Sequence, residues 1–314
     1  MSQPDNILLR DAGLEADADF KDALKRVSYQ PGMLLGLEAT RDEQEYHRRH
    51  LNRHGYWLHG YGTVVGLRVG IKADNPATDI EPTRVRLLVS PGIGVDGLGR
   101  EVTVSEPYCI DLGAWLTSQY EDTENNSWNA LISDGYDTGT NKLWLAVTMR
   151  YQENASGLQP VLGVDVNAGS DPVQPSRLKD SVLFELVAER PADAASAGRP
   201  FAAHNSLPEW NDELAGKLSP GEQAQIESSS GATQQQLRLA ARLLHAVAND
   251  NEALSRRQLF TTTAADIART LLARISVRLT PERELIINPH RITVDNLARP
   301  FLLNAATLAE LIRT

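Results

Sequence analysis

Polar and apolar positions alternate over short distances through the first part of the chain. Arg84-Val85-Arg86-Leu87-Leu88-Val89 begins with polar–apolar alternation, the signature of a strand with one face in a core. Val64-Val65-Gly66-Leu67-Arg68-Val69 and Glu101-Val102-Thr103-Val104 are further β-branched runs, as are Leu143-Trp144-Leu145-Ala146-Val147-Thr148-Met149 and Val182-Leu183-Phe184-Glu185-Leu186-Val187. Turn-forming residues separate them: Asp74-Asn75-Pro76, Asp96-Gly97-Leu98-Gly99 and Asp134-Gly135. No helix of crossover length lies between the central runs, which predicts antiparallel pairing in a sandwich or barrel. One helix interrupts the pattern. Thr40-Arg41-Asp42-Glu43 reads as a capping box, predicting a helix over 41–54 that stops at Gly55.

The period changes towards the C-terminus. Residues 191–232 are rich in Ala, Ser, Gly, Pro and acids and read as a linker or long surface loop. Beyond them Leu237, Ala240, Ala241, Leu244 and Val247 recur at helical spacing. A second helix is expected to open at Thr263 and to carry Ile267, Leu271, Leu272 and Ile275, and Asn304 is placed to cap a last one. The expected fold is therefore α+β. Residues 1–190 form a mainly antiparallel β domain with one embedded helix, and residues 233–314 form a helical domain.

Charge sharpens this division. The net charge of −10 argues against a general nucleic-acid-binding surface. It is unevenly spread: residues 233–280 hold seven Arg against Asp250, Glu252 and Asp266, a balance of +4. Residues 281–314 are balanced, leaving −14 on residues 1–232. No run approaches the ~20 apolar residues of a membrane span. The opening MSQPDNILLRDAGLEADADF lacks a basic region followed by an apolar stretch, so no secretory signal is expected. One cysteine, Cys109, excludes an internal disulfide and suits the cytoplasm.

Candidate chemistry is sparse. Gly92-Ile93-Gly94-Val95-Asp96-Gly97 matches the dinucleotide-binding glycine pattern, but a turn and a strand follow where that motif needs a helix. The glycines are expected instead to shape a hairpin, with Gly97 or Gly99 at positive φ. Asp134-Gly135-Tyr136-Asp137-Thr138-Gly139-Thr140-Asn141 has oxygen ligands at calcium-like spacing without the EF-hand glycine and closing Glu, and reads as a hairpin connection. Four of the seven histidines fall between His47 and His59. On a helix His50 and His54 share a face, with His47 and Glu43 one and two turns earlier, a set able to hold Zn²⁺. Arg48, Arg49 and Arg53 stand among them and disfavour a bound cation. The chain has neither a G-x-S-x-G elbow nor a Walker motif. Cys109 reads as a buried small hydrophobe rather than a nucleophile. Acid pairs such as Glu43/Glu45 and Glu282/Glu284 have nothing aiming them at a common point. The arginines of 238–278 read as a solvated helix face. No catalytic residue and no cofactor are expected.

Three stretches together carry a family resemblance. They are Tyr29-Gln30-Pro31-Gly32-Met33-Leu34-Leu35 leading into Glu43-Gln44-Glu45-Tyr46, then His59-Gly60-Tyr61-Gly62-Thr63-Val64-Val65-Gly66-Leu67, then Pro91-Gly92-Ile93-Gly94-Val95-Asp96-Gly97-Leu98-Gly99-Arg100-Glu101. This order resembles a family of structural, baseplate-associated proteins encoded in contractile phage-tail-like injection systems. More distantly, it is similar to the opening of the trimeric baseplate connector of type VI secretion, whose Gly-Met-Leu-Leu start begins a β-rich shoulder domain. The resemblance covers residues 26–105, with Ser176-Arg177-Leu178-Lys179-Asp180-Ser181-Val182-Leu183 a weaker later match. Gly94 stands where the family often has Ala. The resemblance implies a non-enzymatic structural component that meets other particle subunits (baseplate, spike or fibre proteins), and a homo-oligomer, a trimer by the type VI analogy. It implies no catalytic residue. The runner-up is a soluble metal- or carbohydrate-binding β-domain protein using His47, His50 and His54. The apolar stretch Asn296-Leu297-Ala298-Arg299-Pro300-Phe301-Leu302-Leu303 is expected to fold back onto the helices in a monomer, or to fill a neighbour's groove, with residues 233–314 carrying much of the self-contact.

Overall fold

A computed structural model describes residues 23–73, 85–160, 173–189, 219–228, 268–279 and 292–303. The chain divides into two compact units: Met1–Gly60 with Arg199–Ile267, and Tyr61–Gly198 with Ala268–Thr314.

In the first unit, α1 spans Leu37–His54. It begins four residues earlier than the capping pattern predicts. Gly36 is the N-cap, and Thr40 sits inside the first turns with its hydroxyl donating to the Gly36 carbonyl at 3.3 Å. Glu43 is therefore released from any cap. Its carboxylate instead accepts from the Val27 N–H at 3.1 Å and contacts His47 Nε2 at 3.1 Å. The helix also does not stop at Gly55. A π-helical turn, Gly55–His59, continues it, and Gly60 at φ +79° ends it. A short helix, Pro220–Glu227, interrupts the expected linker, with Glu222 accepting from the Ser219 N–H at 3.0 Å. The helix expected over 237–247 and the one capped by Asn304 lie outside the described residues.

The second unit is built on antiparallel sheets, as the alternation predicts. Its elements are β1 Gly62–Gly66, β2 Val69–Ala73, β3 Val85–Val89, β4 Gly92–Val95, β5 Glu101–Val104 and β6 Tyr108–Asp111. Then come helices α2 Leu112–Glu121 and α3 Ser127–Gly135, followed by β7 Tyr136–Asp137, β8 Lys142–Pro160, β9 Val173–Ala188, β10 Thr270–Arg278 and β11 Thr293–Asp295. One sheet runs β1-β4-β5 and a second β2-β3-β6; in the third, β11-β10-β8-β7, β9 also pairs with β8. A single core joins all three. Val69, Leu87 and Val89 meet Val102, Leu143, Leu145, Met149, Leu272 and Ile275, with Leu112, Leu116 and Leu131 covering from α2 and α3.

Two expectations are corrected here. Leu271, Leu272 and Ile275 lie on strand β10, not on a helix. The strand is buried on both faces except at Ile275's neighbour Arg274 and at its end, so its apolar residues run almost continuously and lose the period of two. Cys109 is exposed rather than buried, because β6 is an edge strand and Cys109 pairs with the outward-turned Leu88. The Asp137–Asn141 segment is the expected hairpin connection. Asp137 accepts from the Gly139 N–H at 2.9 Å and the Thr140 hydroxyl at 2.6 Å, closing a turn into β8.

Candidate functional site

The signature residues of the second and third stretches converge on the small sheet β1-β4-β5. β4 and β5 form the hairpin, with Gly94 opposite Val102 and Val95 opposite Glu101. Between them Asp96, Gly97, Leu98 and Gly99 make the turn, and Gly99 adopts φ +82°, the left-handed conformation that glycine tolerates best. A strand, not a helix, follows, so the glycines cradle no pyrophosphate.

Asp96 organises this turn from inside. Its side chain is wholly buried. Oδ1 accepts from the Leu98 N–H at 2.9 Å and the Arg100 N–H at 3.0 Å. Oδ2 accepts from Arg100 Nε at 2.7 Å and pairs with Nη2 at 2.6 Å. Arg100 is itself buried and lies over the Tyr151 ring, 5.1 Å from its centroid. The Tyr151 hydroxyl donates to Asp180 at 2.6 Å and contacts Glu153 at 3.1 Å; burial and these carboxylates push its ionisation well above the ordinary tyrosine range. Arg100 is thus held in a charge-assisted pair with Asp96, four residues earlier.

Close backbone approach explains two more of the glycines. A Cβ at Gly92 would stand 2.3 Å from the Val65 carbonyl oxygen and 2.5 Å from the Leu67 nitrogen. One at Gly66, where φ is +66°, would stand 2.1 Å from the Pro91 carbonyl oxygen. Leu67 follows at φ +52°, also left-handed, and its side chain is fully buried. The two carbonyls exposed by this kink both accept from Arg299 Nη1, Gly66 at 3.1 Å and Leu67 at 2.6 Å. Asn296 binds Val69 twice, accepting from its N–H and donating to its carbonyl, each at 2.9 Å. Phe301 bridges Thr63 in parallel fashion, and Leu302 donates to the Thr63 carbonyl at 3.0 Å. The segment expected to fold back on helices therefore straps the β1–β2 kink. Asn296 and Arg299 escape sequence reasoning because they act on backbone groups some 230 residues away, where no local pattern can register. Burial and the neighbouring Arg68 lower the Arg299 pKa, consistent with its binding carbonyls rather than a carboxylate.

His47 and His50 both pack on Tyr46, and His54 and His59 pack on each other. His47 contacts Glu43, His50 stacks on Tyr46 at 5.8 Å between centroids, and His54 meets His59 edge-on at 5.5 Å. Among the described residues, no three His, Cys, Asp or Glu side chains gather as metal ligands would. The same unit exposes many large apolar side chains: Tyr29, Met33, Leu34, Leu35, Leu37, Leu51 and Leu58, with Leu34 93% exposed.

No protein-family model matches the chain, and no curated protein does. Among solved structures, it is similar to a chain of the type VI secretion TssK–TssF–TssG baseplate subcomplex. The identity is 11%, over 76% of this chain and 84% of that one, with a TM-score of 0.27. At that score no argument about fold or function rests on the likeness. Among the described residues, no helix is long and apolar enough to cross a membrane.

Proposed function

We propose that the chain is a non-enzymatic structural subunit of a contractile injection system or phage-tail-like particle, seated in or beside the baseplate and assembled in the cytoplasm with other particle subunits. The observation that carries this is the use made of the signature residues. Asp96 and Arg100 neutralise each other inside a hairpin, and Gly66 and Gly92 admit two backbones to contact. A catalytic signature would aim polar groups at a shared cavity; this one fixes the geometry of a sheet.

The runner-up, a metal- or carbohydrate-binding β-domain centred on His47, His50 and His54, has less to stand on, because His47 and His50 pack on Tyr46 while His54 pairs with His59, and among the described residues no three ligating side chains gather. Two experiments divide the readings. Tagged at its native locus, the chain should co-sediment with sheath-bearing particles, and its deletion should abolish assembled baseplates in electron micrographs. Normal particles after deletion would overturn the proposal. Stoichiometric zinc in the purified chain, lost in His50→Ala/His54→Ala, would favour the runner-up.

A further inference from the structure

The kink uses only part of the Arg299 guanidinium, which carries five N–H donors. Nη1 spends both of its hydrogens on the Gly66 and Leu67 carbonyls, at 3.1 and 2.6 Å. The central carbon lies over the Phe301 ring, 5.0 Å from its centroid. Nε is buried and donates to nothing among the described residues. The acceptors that Arg299 does have are neutral carbonyls, so its charge is partly desolvated without being compensated. Burial and the nearby Arg68 both oppose that charge.

Arg68 supplies a second cation at the same place. It follows Leu67 directly, and its side chain is exposed. Its main chain is fixed on both sides: Ser90 Oγ accepts from its N–H and the Ser90 N–H donates to its carbonyl, each at 2.9 Å. Asp295, the one acid of residues 292–303, is directed elsewhere. Its Oδ1 accepts from the Leu297 N–H at 2.8 Å, and in β11 it stands opposite Arg274. Two cations therefore meet at one point of a chain whose net charge is −10, against a strap whose Leu297 and Phe301 are exposed.

We propose that Arg68 and Arg299 receive a carboxylate, presented by an Asp or Glu side chain within an apolar stretch of a partner protein. A carboxylate is planar and accepts from two guanidinium N–H groups at once, and its charge offsets that of both arginines. Arg299 Nη2 and the Arg68 guanidinium are the donors that meet it. The net charge of −10 repels polyphosphates and anionic membranes at long range, which favours a single acidic side chain held by these local cations. Leu297 and Phe301 take the apolar neighbours of that acid. The contact extends the subunit reading by naming a docking surface and the chemistry that fits it, and it stands on its own geometry.

Arginine side-chain NMR on the full chain tests it, following the Nε–Hε signals of Arg68 and Arg299 at constant ionic strength. The probes are acetyl-Leu-Glu-Leu-amide, its Gln counterpart and inorganic phosphate. The Glu peptide should shift both signals saturably and bind at least about tenfold more tightly than either other probe. Arg68→Gln, at an exposed position, should weaken the Glu peptide at least about fivefold while circular dichroism and the melting temperature stay unchanged. Leu297→Ser should weaken the Glu peptide and leave the phosphate response alone. The absence of a saturable shift, an equal response to the Gln peptide, or indifference to Arg68→Gln overturns the proposal. So does phosphate binding as tightly as the Glu peptide, which would mark an adventitious ion only. None of these readouts involves a particle, so their failure leaves the subunit reading standing, and normal particles after deletion would leave this site standing.

Discussion

Removing either member of the Asp96–Arg100 pair should destabilise the second unit more than the loss of any other charged side chain in the hairpin. In Arg100→Met the Asp96 carboxylate stays in place, wholly buried, and loses the Nε and Nη2 contacts at 2.7 and 2.6 Å. The Leu98 and Arg100 backbone donors remain on Oδ1, at 2.9 and 3.0 Å, as does the Tyr151 N–H on Oδ2 at 3.4 Å, and they soften the penalty. Breaking a buried pair by deleting one partner costs about 3–5 kcal/mol. With these three backbone donors retained, the lower end applies, about 3 kcal/mol. Asp96→Asn keeps the shape and strands the guanidinium instead, at about the same cost. In the double variant neither charge is left alone, so its destabilisation should fall short of the sum by about 1–3 kcal/mol. Urea denaturation followed by tryptophan fluorescence measures all three. The Glu45–Arg49 pair, 3.4 Å apart on α1 and half-buried, is the comparison and should contribute less, under about 1 kcal/mol. Salt should leave the buried pair's effect unchanged. A loss below about 1 kcal/mol for Arg100→Met, or strict additivity in the double variant, would refute the claim that a desolvated ion pair holds this turn.

Gly92→Ala should prevent soluble folding, since its Cβ meets backbone at 2.3 Å. Gly94→Ala, whose Cβ meets the movable Met149 Cε at 2.3 Å, should cost only about 1–2 kcal/mol, as thermal melts of the two will register. Asn296→Ala removes both bonds to Val69 and should cost about 1–3 kcal/mol, with hydrogen exchange accelerating at the Val69 and Leu302 amides before the core amides. Asp122 accepts from Ser127 and Asn125, which hold its pKa below the usual aspartate value. The folded form is thus favoured above the unfolded pKa, and that contribution is lost as pH falls through the lower folded one. A carboxyl-carbon NMR titration should place its midpoint below that of an exposed aspartate, and Ser127→Ala should raise it.

How much of this was legible depended on the range over which each residue acts. The hairpin was readable because Asp-Gly-Leu-Gly acts within four residues, and Gly99 takes the left-handed φ expected of it or its neighbour. β3 and β5 were readable because one face of each meets the core, which writes a period of two into the sequence. β10 was not. Buried on both faces, it carries Leu271, Leu272, Ile275 and Val277 at intervals that a helix satisfies equally well. The Thr40 capping box failed for a different reason. Thr and Glu three residues apart are compatible with a cap, but Glu43 has a tertiary competitor in the Val27 N–H, and the helix extends back to Gly36.

The strap shows what the signature alone could not supply. Gly66 and Leu67 form a left-handed kink that places two carbonyls side by side, and Leu67 is held in a conformation costing about 1 kcal/mol or more for a residue with a side chain. Such a conformation persists only where its surroundings over-determine it. Here Gly92 presses from one side, and Arg299 reaches both carbonyls from the other. The Gly-x-Gly-x-Val-x-Gly-Leu pattern from Gly60 to Leu67 therefore specifies half of a structure whose other half lies near residue 300. This coupling also bears on assembly: the strap's own Leu297, Phe301 and Leu303 remain exposed after it has bound. Fastening the kink thus uses the polar side chains Asn296 and Arg299 of the strap and leaves Leu297, Phe301 and Leu303 outward; Val65 and Ile93, directly paired across β1 and β4, are exposed as well.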